Sequence, residues 1–170
     1  MKHFFVCILL VISFLGNSQN PADVDLTLGN NYASFSFVDE ITVQPDGKIL
    51  VGGNFSTMNN VYIGRLIRLN SDGSKDDTFS NSSIGTVRSI ALQSDGKIVV
   101  CGNLSSLING HIQRYVLRLE TDGTVDDTFD TGPNGFPSVA SAVYKVVIQP
   151  DGKILAGGYF STFNSIPQGM

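Results

Sequence analysis

The sequence predicts an all-β chain made of repeated units of short antiparallel strands, and three observations carry that prediction. One stretch occurs three times without gaps: Gln44–Ser56 (QPDGKILVGGNFS), Gln93–Ser105 (QSDGKIVVCGNLS) and Gln149–Ser161 (QPDGKILAGGYFS). A second stretch alternates with it, as Leu66–Phe79 (LIRLNSDGSKDDTF) and Val116–Phe129 (VLRLETDGTVDDTF). The composition, with 18 Gly, no Trp and 15% charged residues, suits many strands joined by tight turns better than helices.

The chain opens on Lys2 and His3, followed by an apolar run from Phe4 to Leu15 and the small residues Gly16 and Ser18. That run falls short of the roughly 20 residues a spanning helix needs. Basic start, apolar middle and small-residue end are the pattern of a secretory signal. Residues 1–18 are therefore expected to be cut off after Ser18, leaving a secreted or cell-surface protein that is not integral to a membrane. Cys7 lies inside the apolar run, which argues against a lipoprotein anchor. Cleavage removes Lys2 and no acid, so the mature chain is more acidic than the formal net charge of −4. With no basic cluster, the chain lacks what phosphate backbones demand, and nucleic acid is not an expected partner. Cys101 remains as the single cysteine, so no internal disulfide staples the fold. Stability has to come from burial of apolar sheet faces.

Residues 19–37 form an N-terminal segment in which Val24–Leu28 (VDLTL) resembles Val125–Phe129 (VDDTF) and reads as a leading outer strand. Each unit then begins with a short branched-apolar run (Ile41–Gln44, Ile90–Gln93, Val146–Gln149) suited to a strand. An Asp-Gly turn follows: Asp46-Gly47, Asp95-Gly96 and Asp151-Gly152. Asp tolerates the bend and Gly takes the left-handed conformation. The returning strand (Lys-Ile-Leu-Val and its counterparts) is apolar on successive residues, as in a strand covered on both faces. Gly53, Gly102 and Gly158 come next, where a missing side chain admits another backbone. The second hairpin turns at Asp72-Gly73 and Asp122-Gly123. Its first strand mixes Arg with apolar residues, so one face is expected to be solvated. Its second, Lys75–Phe79 or Val125–Phe129, is expected as a short charged outer strand that discourages edge pairing.

Strand–turn–strand–loop–strand–turn–strand, repeated about every fifty residues, is one four-stranded antiparallel blade of a β-propeller. The expected fold is thus a partial propeller of about two and a half repeats. Blade 1 covers residues 38–86, blade 2 covers 87–142, and 143–170 is the first half of blade 3. Propellers close with about four to eight blades, so further blades or further copies are expected to complete the ring.

QPDGKIL(V/A)GG followed by RLIRLNSDGS-x-DDTF resembles the delta-60 repeat, found in long secreted bacterial proteins, and the resemblance runs from Val24 to Ser161. It implies a propeller array, export and an extracellular or surface setting. It implies no particular activity, because that family is recognised by its repeat.

Candidate chemistry is sparse. Asp76-Asp77 and Asp126-Asp127 recur once per unit, and neighbouring strand residues point to opposite faces, so a structural role outweighs acid–base work or calcium. The turn acids Asp46, Asp72, Asp95, Asp122 and Asp151 read as turn formers. Asn70–Gly73 matches part of a calcium loop but lacks its later ligands. No cofactor is expected, calcium being the remaining candidate. His111 lies in what reads as a polar loop without a second His. Cys101 stands where its counterparts are Gly52 and Gly157 and reads as a buried thiol. The longest deviation between repeats, Thr131–Ala142 (TGPNGFPSVASA), offers a contact loop at Asn134, Phe136 and Pro137. The loops Thr57–Gly64 and Ser106–Gln113 differ from each other and share that role. The expected function is a non-catalytic scaffold that is structural or binds a protein or glycan. The rivals are a piece of a propeller glycan hydrolase or lyase, and a calcium- or glycan-binding module.

Overall fold

The computed structural model describes residues 37–55, 57–58, 61–62, 64–80, 84–131, 142–160, 162–163 and 166–167. The secretory segment, Val24–Leu28 and the contact residues Asn134, Phe136 and Pro137 lie outside these. Among the described residues all regular elements are strands, and no helix is long and apolar enough to cross a membrane.

Blade 1 comprises β1 (Phe37–Val43), β2 (Ile49–Asn54), the short pair β3 (Thr57–Met58) and β4 (Val61–Tyr62), and β5 (Leu66–Leu69). Its main sheet runs β1-β2-β5, antiparallel throughout. Blade 2 repeats this as β6 (Gly85–Leu92), β7 (Ile98–Ile108) and β8 (His111–Leu119), in the order β6-β7-β8. Blade 3 contributes β9 (Ala142–Ile148) and β10 (Ile154–Tyr159), with β11 (Thr162–Phe163) and β12 (Ile166–Pro167) beyond them.

The Asp-Gly turns form as expected, and all in the same way. In the first, Gly47 N–H donates to the Gln44 carbonyl at 2.9 Å, Gln44 N–H donates to the Lys48 carbonyl at 2.8 Å, and Gly47 has φ 84°. The pattern recurs at Gly73, Gly96, Gly123 and Gly152. It is a three-residue hairpin loop closed by a left-handed glycine. Each turn Asp accepts the N–H two residues ahead, at 3.0 Å for Asp46, 2.9 Å for Asp72 and Asp122, and 3.1 Å for Asp95 and Asp151.

Two expectations about local structure need correction. The charged outer strand shrinks to a single bridge per blade, Leu69 with Lys75 and Leu119 with Val125. The chain then bends because Asp76 and Asp126 take the N–H and hydroxyl two residues on, at Thr78 and Thr128, and this local bonding competes with a strand ladder. Ser106–Gln113 is no loop either. Ser106 pairs with Gln113, Leu107 with Ile112 and Ile108 with His111, around Asn109 (φ 50°) and Gly110 (φ 82°). Asn-Gly with both residues left-handed is the turn whose twist matches a hairpin. His111 is therefore a strand residue. Within Thr57–Gly64, Thr57 likewise pairs with Tyr62 and Met58 with Val61.

The blades stack through strands buried on both faces. Leu50 packs forward with Val87, Ile90 and Val100, whereas Ile49 and Val51 pack on the opposite face with Ile67 and Leu69. One repeat later, Ile98 and Val100 face back toward Leu50, while Val99 and Cys101 pack with Val143 and Val146 of β9. Each such aliphatic side chain contributes about 1.5–3 kcal/mol through burial. In blade 3 the residue equivalent to Leu50 and Val99 is Leu155, which is 53% exposed. The described stack is thus open on that side, as in an incomplete propeller.

Cys101 fills the slot that its Gly52 counterpart leaves to a neighbour, where a Cβ would meet Val87 Cγ1 at 2.6 Å. Its thiol is buried, and burial pushes its pKa up to about 12. For a chain of residues 19–170, which carries Cys101 alone, we expect no reaction of the native state with a thiol reagent at neutral pH and one thiol titrated after denaturation, and a spectrophotometric thiol count in both states checks this.

Candidate functional site

Strand direction sorts the molecule into two ends. β1, β6 and β9 run into Asp-Gly turns, and the returning strands β2, β7 and β10 run away from them. All five Asp-Gly turns therefore gather at one end. The pairs β3–β4 and β11–β12, the Asn109-Gly110 tip and the starts of β1, β6 and β9 gather at the other.

The repeated polar residues tie each blade to itself. Asp76, 4% exposed, accepts from Lys48 Nζ and Arg68 Nε at 2.7 Å each and from the Thr78 hydroxyl at 2.6 Å. Asp126 has the same partners one repeat on: Lys97 Nζ and Arg118 Nε at 2.7 Å and Thr128 at 2.6 Å. Lys48 and Lys97 come from the first hairpin and the arginines from the second, so one carboxylate fastens both. The arginines also lie over aromatic rings, Arg68 4.6 Å from the Phe79 centroid and Arg118 4.9 Å from that of Phe129. Arg68, expected on a solvated face of the second hairpin, instead turns inward to reach Asp76 and is buried, whereas Arg65, Arg114 and Arg118 stay partly exposed. Asp77 points away and its side chain is 85% exposed, so the two carboxylates do not converge.

The Lys48 hydrogen bond, supported by Thr78 and Arg68, holds the Asp76 carboxyl well below its ordinary pKa of 3.8. Burial pushes Asp126 upward, and the bonds from Lys97, Thr128 and Arg118 outweigh it, so its pKa too is lowered. With the folded pKa below the unfolded one, these groups contribute stability that is complete above the unfolded carboxylate range and is lost as pH falls through the folded pKa. Urea midpoints are expected to stay level from neutral pH to about 5 and to drop steeply below about 4.

The turn acids are engaged in their turns. Ser74 lowers the Asp72 pKa and Thr124 that of Asp122, each chiefly through its hydroxyl. Among the described residues no three His, Cys, Asp or Glu side chains gather as metal ligands would.

The residues that do not repeat lie midway along β1, β6 and β9, the inner strands, which form the sheet edge away from the Lys75 and Val125 bridges. Glu40, Ser89 and Lys145 occupy one position, directly before Ile41, Ile90 and Val146. Asp39, Arg88 and Tyr144 precede them, each at an irregularity in register. Such a bulge re-aims the side chain it carries. The glycines opposite are required here, because a Cβ on Gly53, Gly102 or Gly158 would land on the carbonyl oxygen of Phe37, Thr86 or Ala142. Glu40 Oε2 accepts from the buried Ser89 hydroxyl at 3.2 Å and from Lys145 Nζ at 2.5 Å, linking three blades. The Arg88 guanidinium lies 5.5 Å from the Tyr144 ring centroid.

The six inner-strand residues were not singled out from sequence. The signal was present: extending the repeat alignment two residues upstream pairs Asp39-Glu40 with Arg88-Ser89 and Tyr144-Lys145, changing charge and size where the following residues barely change.

Residues 44–79, 93–129 and 149–169 match the family described as a beta-propeller domain of unknown function (DUF5122). The chain belongs to that family. No curated protein and no solved structure matches it. The DUF5122 segments take in the five Asp-Gly turns, the returning strands and both Asp hubs, which are the scaffold. The pairs Asp39-Glu40, Arg88-Ser89 and Tyr144-Lys145 all fall outside those segments.

Proposed function

We propose that this propeller chain is a secreted or cell-surface scaffold of the delta-60 type, non-catalytic, which binds a protein or glycan along its inner strands and the end of its blades opposite the Asp-Gly turns. The observation supporting this reading is a division of labour. Apart from the solvated Asp77 and Asp127, the acids that recur from blade to blade are engaged in turns and in the Asp76 and Asp126 hubs, whereas the charged groups that vary stand together on the inner strands. The end opposite the Asp-Gly turns carries Leu107 and Ile112, an exposed apolar pair at the blade 2 hairpin tip. Export rests on residues 1–18 and is checked by N-terminal sequencing of protein recovered from a bacterial culture, with Gln19 expected first.

Binding is tested by probing the mature chain against arrayed polysaccharides and peptides and mapping any hit by amide-exchange protection. Protection at residues 37–40, 86–89, 107–112 or 142–145, with the ligand recovered unchanged, agrees with this function. Protection confined to the Asp-Gly turns contradicts it, and cleavage of the ligand replaces it with an enzyme.

A further inference from the structure

We infer that the inner edge of blades 2 and 3 takes a sugar bearing a carboxylate, a uronate, against Arg88, Tyr144 and Lys145. This deepens the function proposed above and rests on it. Arg88 is exposed, and its planar guanidinium is pinned over the Tyr144 ring at 5.5 Å. Among the described residues no carboxylate is hydrogen-bonded to it. A stacked guanidinium keeps its N–H edge available for a carboxylate, which it can hold through two parallel bonds. Tyr144 is 51% exposed and offers apolar ring surface to the C–H face of a pyranose. Lys145, 59% exposed at its side chain, follows it in β9 with its charge met by Glu40 at 2.5 Å, and its remaining N–H groups can donate to sugar hydroxyls. Glu40 and Asp39 stand on the next inner strand as acceptors, and hydroxyl groups are the donors that suit them.

The lining therefore asks for one negative charge, several hydroxyls and an apolar ring face in a single ligand. A neutral sugar leaves Arg88 without its anion. An acidic peptide brings several carboxylates toward Asp39 and Glu40, where like charges repel. The uronate satisfies all three kinds of group. None of these residues falls within the segments that match the family.

The test is calorimetry on the mature chain with a trisaccharide carrying a single uronate, a neutral trisaccharide and an acidic peptide, repeated with Arg88→Ala, Arg88→Lys and Tyr144→Ala. We expect the uronate alone to bind, more weakly as ionic strength rises. Arg88→Ala and Tyr144→Ala should each weaken it at least about tenfold with no fall in melting temperature. Arg88→Lys, which keeps the charge and loses the fork, should fall in between. Equal binding of the neutral sugar, preference for the peptide, no uronate binding at millimolar concentration, or undiminished binding by Arg88→Ala would each overturn the inference. A different ligand protecting the Leu107–Ile112 tip, with the uronate inert, would overturn this inference and leave the proposed function standing.

Discussion

Asp76→Ala is expected to lower the free energy of unfolding by about 3–5 kcal/mol, and Asp77→Ala by less than about 1 kcal/mol. The two residues are adjacent and chemically identical, so the contrast isolates environment. Asp76 is the shared acceptor for Lys48, Arg68 and Thr78, one partner from each hairpin and one from its own turn. Without it the buried Arg68 guanidinium retains the Thr121 carbonyl at 2.6 Å and the Phe79 ring but no counter-charge. Stranding a buried cation costs far more than the pair gains on formation. Asp77 is solvated and, among the described residues, meets Lys75 alone, at 2.5 Å. Urea titrations of both variants measure the difference. Equal losses, or a near-neutral Asp76→Ala, would remove the hub from the account.

Gly123→Ala should destabilise by about 3 kcal/mol or more, while Gly152→Ala costs about 1–2 kcal/mol. Both glycines are left-handed, with φ 87° and 83°, so both variants carry the same backbone strain. They differ in surroundings. A Cβ at position 123 would come within 2.6 Å of the Ser80 carbonyl oxygen and 2.7 Å of the Phe79 ring, whereas at 152 nothing lies within 4 Å. Backbone cannot yield as a flexible side-chain tip does, so the clash adds to the strain. The contact exists because the end of blade 1 docks on the outer turn of blade 2: Ser80 N–H donates to the Asp122 carbonyl at 2.6 Å, and Arg68 reaches Thr121 beside it. Thermal melts of the two variants separate strain common to all such turns from damage to the junction between blades.

Much of the fold was legible because repetition converts weak local signals into strong ones. One Asp-Gly says little, but five at matched places define the turns, and successive apolar residues at Ile49–Val51 and Ile98–Cys101 mark strands covered on both faces. What misled was reading charge as exposure. Arg68 and Asp76 look like a solvated strand and a charged edge, yet each is buried because the other is there, and sequence spacing alone does not disclose that pairing. The Asn109-Gly110 turn was plain in the residues and passed over because the neighbouring repeat lacks it. The inner-strand residues escaped for a related reason. A search for repetition discards what varies, and Glu40, Ser89 and Lys145 gain meaning only when the stack brings three blades to one edge.

Native-state hydrogen exchange of the central strands tests most directly whether the blades protect one another. The amides of Val99 and Val100, in a strand paired on both sides and covered by blades 1 and 3, should exchange only through global unfolding. Those of Leu155 and Ala156, among the described residues paired on one side and bare on the face Leu155 presents, should exchange through smaller openings and so markedly faster. Equal rates in the two strands, or fast exchange at Val99 and Val100, would contradict a stack in which each blade is kept dry by the next.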